Sequence, residues 1–280
     1  MAAIRQVSKI IKARLTSDGA GVSLYRSIGT HDLSDLDPFL LLDEFGSSNP
    51  DDYIAGFPPH PHRGFETVTY MVEGHFKHED SAGHSGELKS GGVQWMTAGR
   101  GVIHSEMPLM EEGRLHGFQL WVNLPAKKKM CAPRYQNIGP EQIPEISPSR
   151  NVSVKVIAGM ALGVKGPVEG IYVDPMYLDV TMGPGESWTC PVASGKTVFS
   201  YIYEGTAIFD QRLAGRGSLV VLTEGDEIAV AAGDHGARMI TLAGDPISEP
   251  IARYGPFVMN TAEEISRAIA DYRSGAMGSA

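Results

Sequence analysis

The chain has 280 residues, enough for one large or two ordinary domains, and its 42% hydrophobic content with 33 glycines and 18 prolines describes a turn-rich globular protein. A formal net charge of -9 argues against a protein that holds nucleic acid through phosphate contacts, while leaving room for a protein partner. Only two cysteines, Cys131 and Cys190, occur, far apart; with no disulfide spacing and no signal peptide they point to a reducing, cytoplasmic compartment, and no apolar run is long enough to span a membrane.

In chain order, Met1 to Lys12 carries Ile4, Val7, Ile10 and Ile11 and suits a strand better than a targeting peptide. Short apolar runs up to Arg26 are broken by Asp18-Gly19-Ala20-Gly21, a hairpin signal. Asp37 to Gly46 is a continuous apolar run bounded by proline and glycine, which predicts a buried strand. Further strands are predicted at Phe65 to Val72, Val93 to Met96 and Leu115 to Leu124, where β-branched and aromatic residues are dense. His78 to Gly86 reads as a polar loop, so His75, His78 and His84 are expected to be solvated or to sit behind any ligand shell. The Lys127-Lys128-Lys129 run, beside prolines, predicts a solvated surface turn.

From Pro125 to Pro148 five dispersed prolines and little periodicity suggest an interdomain segment, placed at 131–150. Short β-like runs resume at Asn151, and the second half shadows the first: an offset of about 131 takes Glu73-Gly74 to Glu204-Gly205 and Tyr70 to Tyr201. The same offset sets Pro191 opposite His60, Ala193 opposite His62 and Ala237 opposite Glu106, with only His235 matching His104. The second copy is therefore expected to bind no metal. Thr261-Ala262-Glu263-Glu264 is a capping box, and Ile265, Ala268, Ile269 and Tyr272 follow at helical spacing before Gly275. The expected fold is all-β, with two antiparallel barrels or jelly rolls in tandem, at 1–130 and 151–280, and one short C-terminal helix.

The stretch richest in chemistry lies between residues 60 and 116, which hold seven of the nine histidines. It begins at His60-Pro61-His62 and carries His104-Ser105-Glu106 about forty residues later. Side chains alternate along a strand, so residues two apart face one cavity. Three imidazoles and a carboxylate suit a divalent transition metal: imidazole fits iron, nickel, copper or zinc, and the carboxylate keeps manganese or iron eligible. Glu66 shares the parity of His60 and His62 if that strand is unbroken, so the residues alone leave the carboxylate open between Glu106 and Glu66. Apolar residues near the motifs, Phe57, Phe65, Trp95 and Met96, could line a slot for flat rings, although barrel core is the commoner role of each.

These motifs carry a resemblance. Gly56, His60-x-His62, Glu66, Gly74 and the glycine turn before His104 look like the two motifs of the cupin superfamily. The strings from Asp37 to Phe45, His60 to Tyr70, Gln94 to Gly101 and Phe118 to Pro125 resemble the hallmark segments of the pirin family of bicupins, and Tyr254 to Thr261 and Asp271 to Gly275 resemble its C-terminal end. The resemblance implies cupin barrels, with one iron held in the N-terminal barrel by His60, His62, His104 and Glu106, leaving Glu66 a supporting role. It also implies an activity of the quercetin 2,3-dioxygenase type, opening the central ring of a flavonol with O2. In that reaction Glu106, or Glu66 as second candidate, would accept the substrate's hydroxyl proton. The alternative that the family implies is an iron-dependent redox-sensing regulator that binds a transcription factor or a metabolic enzyme.

Overall fold

The computed structural model describes residues 2–110 and 112–278. The strands fall into two compact units. One contains the chain up to Arg14 and Glu141–Pro246; the other contains Leu15–Pro140 and the chain from Ile247 onward. This division departs from the linear boundaries expected at 130 and 150, because each terminus is bonded into the unit built by the opposite half. Strand Val7–Lys12 pairs with Ser218–Leu222. The C-terminal segment returns to the first half, where Val258 N donates to Arg63 O at 3.0 Å and Arg63 Nη1 meets Asp271 at 2.7 Å.

The metal-motif unit has a seven-stranded and a four-stranded antiparallel sheet. The larger runs, in spatial order, Arg134–Ile138, Val93–Thr97, Phe65–Glu73, Leu115–Asn123, Phe39–Ser47, Val22–Ile28 and Arg14–Asp18. Its central strands are buried along almost their whole length, which explains why Phe39 to Phe45 and Phe65 to Met71 show no polar alternation. The smaller sheet runs Phe57–His62, Val102–Pro108, His75–Asp80 and Ser85–Lys89. Strand Phe57–His62 contains Pro58, Pro59 and Pro61, none of which can donate to a ladder, and it accordingly takes the edge. The polar run expected as a loop from His78 to Gly86 is instead a hairpin, because His75 to Glu79 find backbone partners in Ser85 to Lys89.

The other unit repeats the order of the larger sheet: Val7–Lys12, Ser218–Leu222, Thr197–Phe209, Glu227–Gly244, Met176–Met182, Val152–Ala158 and Glu145–Ser149. Here two long strands, of 13 and 18 residues, run on where the metal-motif unit breaks its counterparts at Gly74 and before Leu115. The spacing between the copies therefore shortens along the chain, and a fixed offset misplaces the later matches. His235 lies exposed in the middle of the long strand Glu227–Gly244. The interior of this unit is filled by Trp188, Cys190, Ile228, Val230 and Phe209.

The segment expected to be an irregular linker supplies an edge strand to each unit, Arg134–Ile138 and Glu145–Ser149. The lysine run also differs from expectation. Lys129 is 1% exposed, and its Nζ donates to Gly64 O at 2.8 Å, Asn123 Oδ1 at 2.7 Å and Val258 O at 3.0 Å. Those three acceptors compensate the burial, which pulls its pKa down to about 8. At the C-terminus the helix is Ala262–Arg273, with both halves of the Thr261/Glu264 capping box formed. Its Ile265 and Ala268 pack on Phe257 and Met259.

Candidate metal centre

The first ligand arm is strand Phe57–His62 and the second is Val102–Pro108. They pair antiparallel with His60 directly opposite His104. Alternation then buries Val102, His104 and Glu106 on one side of their strand. The result is a tight cluster in which ring nitrogens of His60, His62 and His104 all lie within 4.8 Å of one another. Ring centroids are 4.5 Å apart for His60 and His104, 4.7 Å for His60 and His62, and 5.0 Å for His62 and His104.

The electrostatics favour neutral rings. Burial, reinforced by His104 and His60, pushes His62 well below the usual histidine range, and burial, reinforced by His60 and His78, does the same to His104. A neutral imidazole keeps the lone pair that a metal takes. At His60, Nδ1 lies 2.8 Å from Pro58 O. A carbonyl only accepts, so Nδ1 is the protonated nitrogen and Nε2 is free to ligate. Both ring nitrogens of His62 and of His104 are buried without a hydrogen-bond partner among the described residues. Leaving such groups unpaired costs about 1–3 kcal/mol each, and a shared cation relieves that cost, so the donor set fits a transition metal.

Glu106 stands two residues beyond His104, buried between the two sheets. Its Oε1 accepts from Thr69 Oγ1 at 2.7 Å and its Oε2 from Gln119 Nε2 at 3.0 Å. Burial raises its pKa, against the pull of His60, Thr69 and Gln119. Glu66 goes elsewhere. The strand that would give it the parity of His60 and His62 is broken at Gly64, where φ is +89° and any Cβ would come within 1.9 Å of Val258 O. Beyond that break Phe65 touches His62, Thr69 reaches Glu106, and Glu66 turns to the opposite side, accepting from Thr97 Oγ1 at 2.6 Å. Burial lifts the Glu66 carboxyl to about 7.

Arg63, buried beside His62, steadies both arms. Its Nε donates to Arg100 O at 2.6 Å in the turn that leads to His104, and its Nη1 grips Asp271 of the C-terminal helix. Of the other histidines, His116 is buried against Glu44 at 2.9 Å, and His84 pairs with Asp80 at 3.0 Å.

A cavity of about 520 Å³ opens beside this cluster, lined by His60, His62 and Glu106 together with Gln119, Trp121, Phe57, Leu24, Leu41 and Phe45. Of the four apolar residues expected to line a slot, only Phe57 does so. Phe65 is packed between Leu40, Val258 and Trp121, while Trp95 and Met96 are core. Trp121, Gln119 and Thr69 were not foreseen as site residues, although the string Gln119-Leu120-Trp121 alternates in the way a cavity-facing strand does.

Comparison with known proteins identifies the family. The family profile described as Pirin matches residues 21–122, and the one described as Pirin C-terminal cupin domain matches residues 177–278. A pirin-like protein of Caulobacter vibrioides is 46% identical over 97% of this chain and 99% of its own length. Human pirin is 44% identical over 99% of this chain and 96% of its own. Among solved structures, a quercetin 2,3-dioxygenase from Acinetobacter baumannii superposes with a TM-score of 0.92 at 35% identity, covering 99% of both chains. With its profiles matched in both halves and its histidine cluster set in the first of two cupin-type β units, the chain belongs to the pirin family of bicupins.

Proposed function

We propose that this protein is a metal-dependent dioxygenase that opens the central ring of a flavonol-type substrate with O2 and releases carbon monoxide. The observation that carries the reading is the convergence of His60, His62 and His104, with His60 and His62 at the wall of a cavity large enough for a multi-ring ligand. Support comes from the 35%-identical structure named quercetin 2,3-dioxygenase. His60, His62 and His104 would hold a single divalent transition metal, with Glu106 as the fourth ligand. Iron is the first choice, and manganese, nickel, copper and zinc are the alternatives that the donor set accepts. Such an ion would supply a cationic seat for a deprotonated substrate oxygen, and a redox-active one, which zinc is not, would add a one-electron route to O2.

The chain's own residues do the rest. Glu106, whose basicity burial raises, accepts the substrate hydroxyl proton, and Thr69 and Gln119 fix the carboxylate in place for that transfer. Trp121, Phe57 and Leu41 offer flat apolar walls that orient rings and exclude water. Glu66 faces away from the cavity and has no part in the transfer. A sealed site would favour the regulatory alternative, in which the iron's oxidation state alters a partner-binding surface; a cavity that reaches His60 and His62 favours substrate. Among the described residues no helix is long and apolar enough to cross a membrane.

The test is quercetin consumption under air by the iron-loaded protein, followed by loss of flavonol absorbance. Oxygen-dependent turnover that disappears in His62→Ala supports the reading. No turnover at full iron occupancy overturns it.

A further inference from the structure

The cavity beside the histidine cluster has a second polar end, built by Arg26, Asp43, Asp18 and Arg253. The two arginines differ in how fully they are used. Arg26 is closed on itself by carboxylates: Nε donates to Asp43 Oδ1 at 2.8 Å, and Nη2 donates to Asp43 Oδ2 and Asp18 Oδ2, each at 2.7 Å. Arg253 has one backbone acceptor, Leu40 O, 3.1 Å from Nη1. No carboxylate lies within ion-pair distance of it among the described residues, and its side chain is exposed at the cavity edge. Its guanidinium carbon sits 4.8 Å from the centre of the Trp121 ring. The same indole meets the His62 ring at 5.3 Å in an edge contact and packs against Phe65 at 4.3 Å. One aromatic side chain thus separates the histidine cluster from an unpaired, always-charged guanidinium.

A guanidinium laid against an indole keeps its charge and its position while its edge N–H groups stay free. Those groups form the planar fork that a carboxylate fits. From this arrangement we propose that Arg253 is an anion-recognition residue of the cavity, and that the preferred ligand is a planar aromatic with vicinal oxygens at the histidine end and a carboxylate at the other. A ligand spanning the two ends lies along Trp121, with its apolar body against Phe57 and Leu41. The carboxylates of Asp18 and Asp43 nearby, although both bonded to Arg26, restrict the anion to a single charge, because a dianion would meet repulsion that one guanidinium does not offset. The inference rests on the proposed function only in taking this cavity as the ligand site. It concerns binding and needs no turnover.

The probe is a matched pair, caffeate and its methyl ester, which share the ring, its two hydroxyls and the propenoyl arm and differ in charge and one methyl group. Both are titrated anaerobically into the metal-loaded protein while tryptophan fluorescence is recorded. The expected result is that the wild type binds caffeate about tenfold more tightly than the ester, the size of one charge-assisted contact. In Arg253→Gln the preference disappears through loss of caffeate affinity, with ester affinity unchanged. Arg253→Lys keeps the charge without the fork and retains part of the preference. Thermal midpoints within a degree or two of wild type exclude unfolding as the cause. A wild type that binds the two equally, or neither, overturns the inference, and so does a preference that survives in Arg253→Gln or a parallel loss of both ligands. Quercetin turnover, scored separately, decides the oxygenase reading, so either can fail while the other stands.

Discussion

The two β units share one strand order but fill it with different chemistry. In the metal-motif unit the edge strand carries His60 and His62 and its partner carries His104 and Glu106. In the other unit the equivalent pairing sets Trp188 opposite Val230 and Cys190 opposite Ile228, an apolar interior. Exchanging a handful of inward positions thus separates a cradle with unpaired imidazole nitrogens from an ordinary core. The first stores a burial cost that a cation can relieve; the second gains burial outright, at roughly 25 cal/mol per Å² of apolar surface.

The largest effect that would break this comparison is expected in the apolar copy. Trp188→Ala should lower unfolding stability by about 3–5 kcal/mol by opening a cavity, while leaving the metal content of the purified protein unchanged. Denaturant titration beside metal analysis checks both. A loss of metal along with stability would show that the two copies do not divide their tasks.

The next prediction separates the two glutamates. The folded-state pKa of Glu66, about 7, lies above its ordinary 4.5, so its carboxyl contributes stability in full below 4.5 and loses it as pH rises through 7. Glu66→Gln should therefore gain on the wild type by on the order of 3 kcal/mol above pH 7, and by little below pH 4.5. Its metal content should stay within twofold of wild type, whereas Glu106→Gln should lower it. Urea unfolding at pH 4.5 and pH 8 reads the first part, and metal analysis reads the second.

Smaller, but most specific to the cradle, is metal removal. At a free metal concentration a hundred times Kd the bound ion stabilises the folded state by about 2.7 kcal/mol. Chelation should therefore reduce amide protection in Val102–Pro108 while leaving Ser218–Leu222 as it was. Hydrogen exchange on the loaded and stripped protein resolves the two strands. Equal loss in both would contradict a cradle confined to one copy.

The smallest effect is expected at Thr69→Val, which removes one hydrogen bond from Glu106. Stability should fall by about 1 kcal/mol. Loss of a bond that holds the carboxylate form should raise the Glu106 pKa further, so the acid limb of a turnover profile should move to higher pH.

Much of this was legible in the sequence because its signals are local. The dense β-branched runs mark the strands, and the Glu73-Gly74 and Glu204-Gly205 echo marks the repeat. The His60-x-His62 spacing marks one ligand arm, and Thr261 with Glu264 marks the helix. What stayed hidden depends on contacts far along the chain. Glu66 could not be separated from the ligand face until the break at Gly64, forced by the approach of Val258, was visible. Lys129 reads as solvated until Asn123, Gly64 and Val258 surround it. Arg253 lies more than a hundred residues from Trp121, and nothing in its own neighbourhood places it at the cavity. The exchange of termini likewise follows from pairings such as Val7 with Leu222, which no periodicity encodes.

The position of a bound metal distinguishes the two β units most directly. Anomalous diffraction from crystals of the iron-loaded protein should show one peak per chain, about 2.1 Å from a ring nitrogen of each of His60, His62 and His104, and none inside the unit that contains Trp188. A peak ligated by Glu66, a second peak between Trp188 and Val230, or no peak at the three histidines at full iron stoichiometry would contradict it.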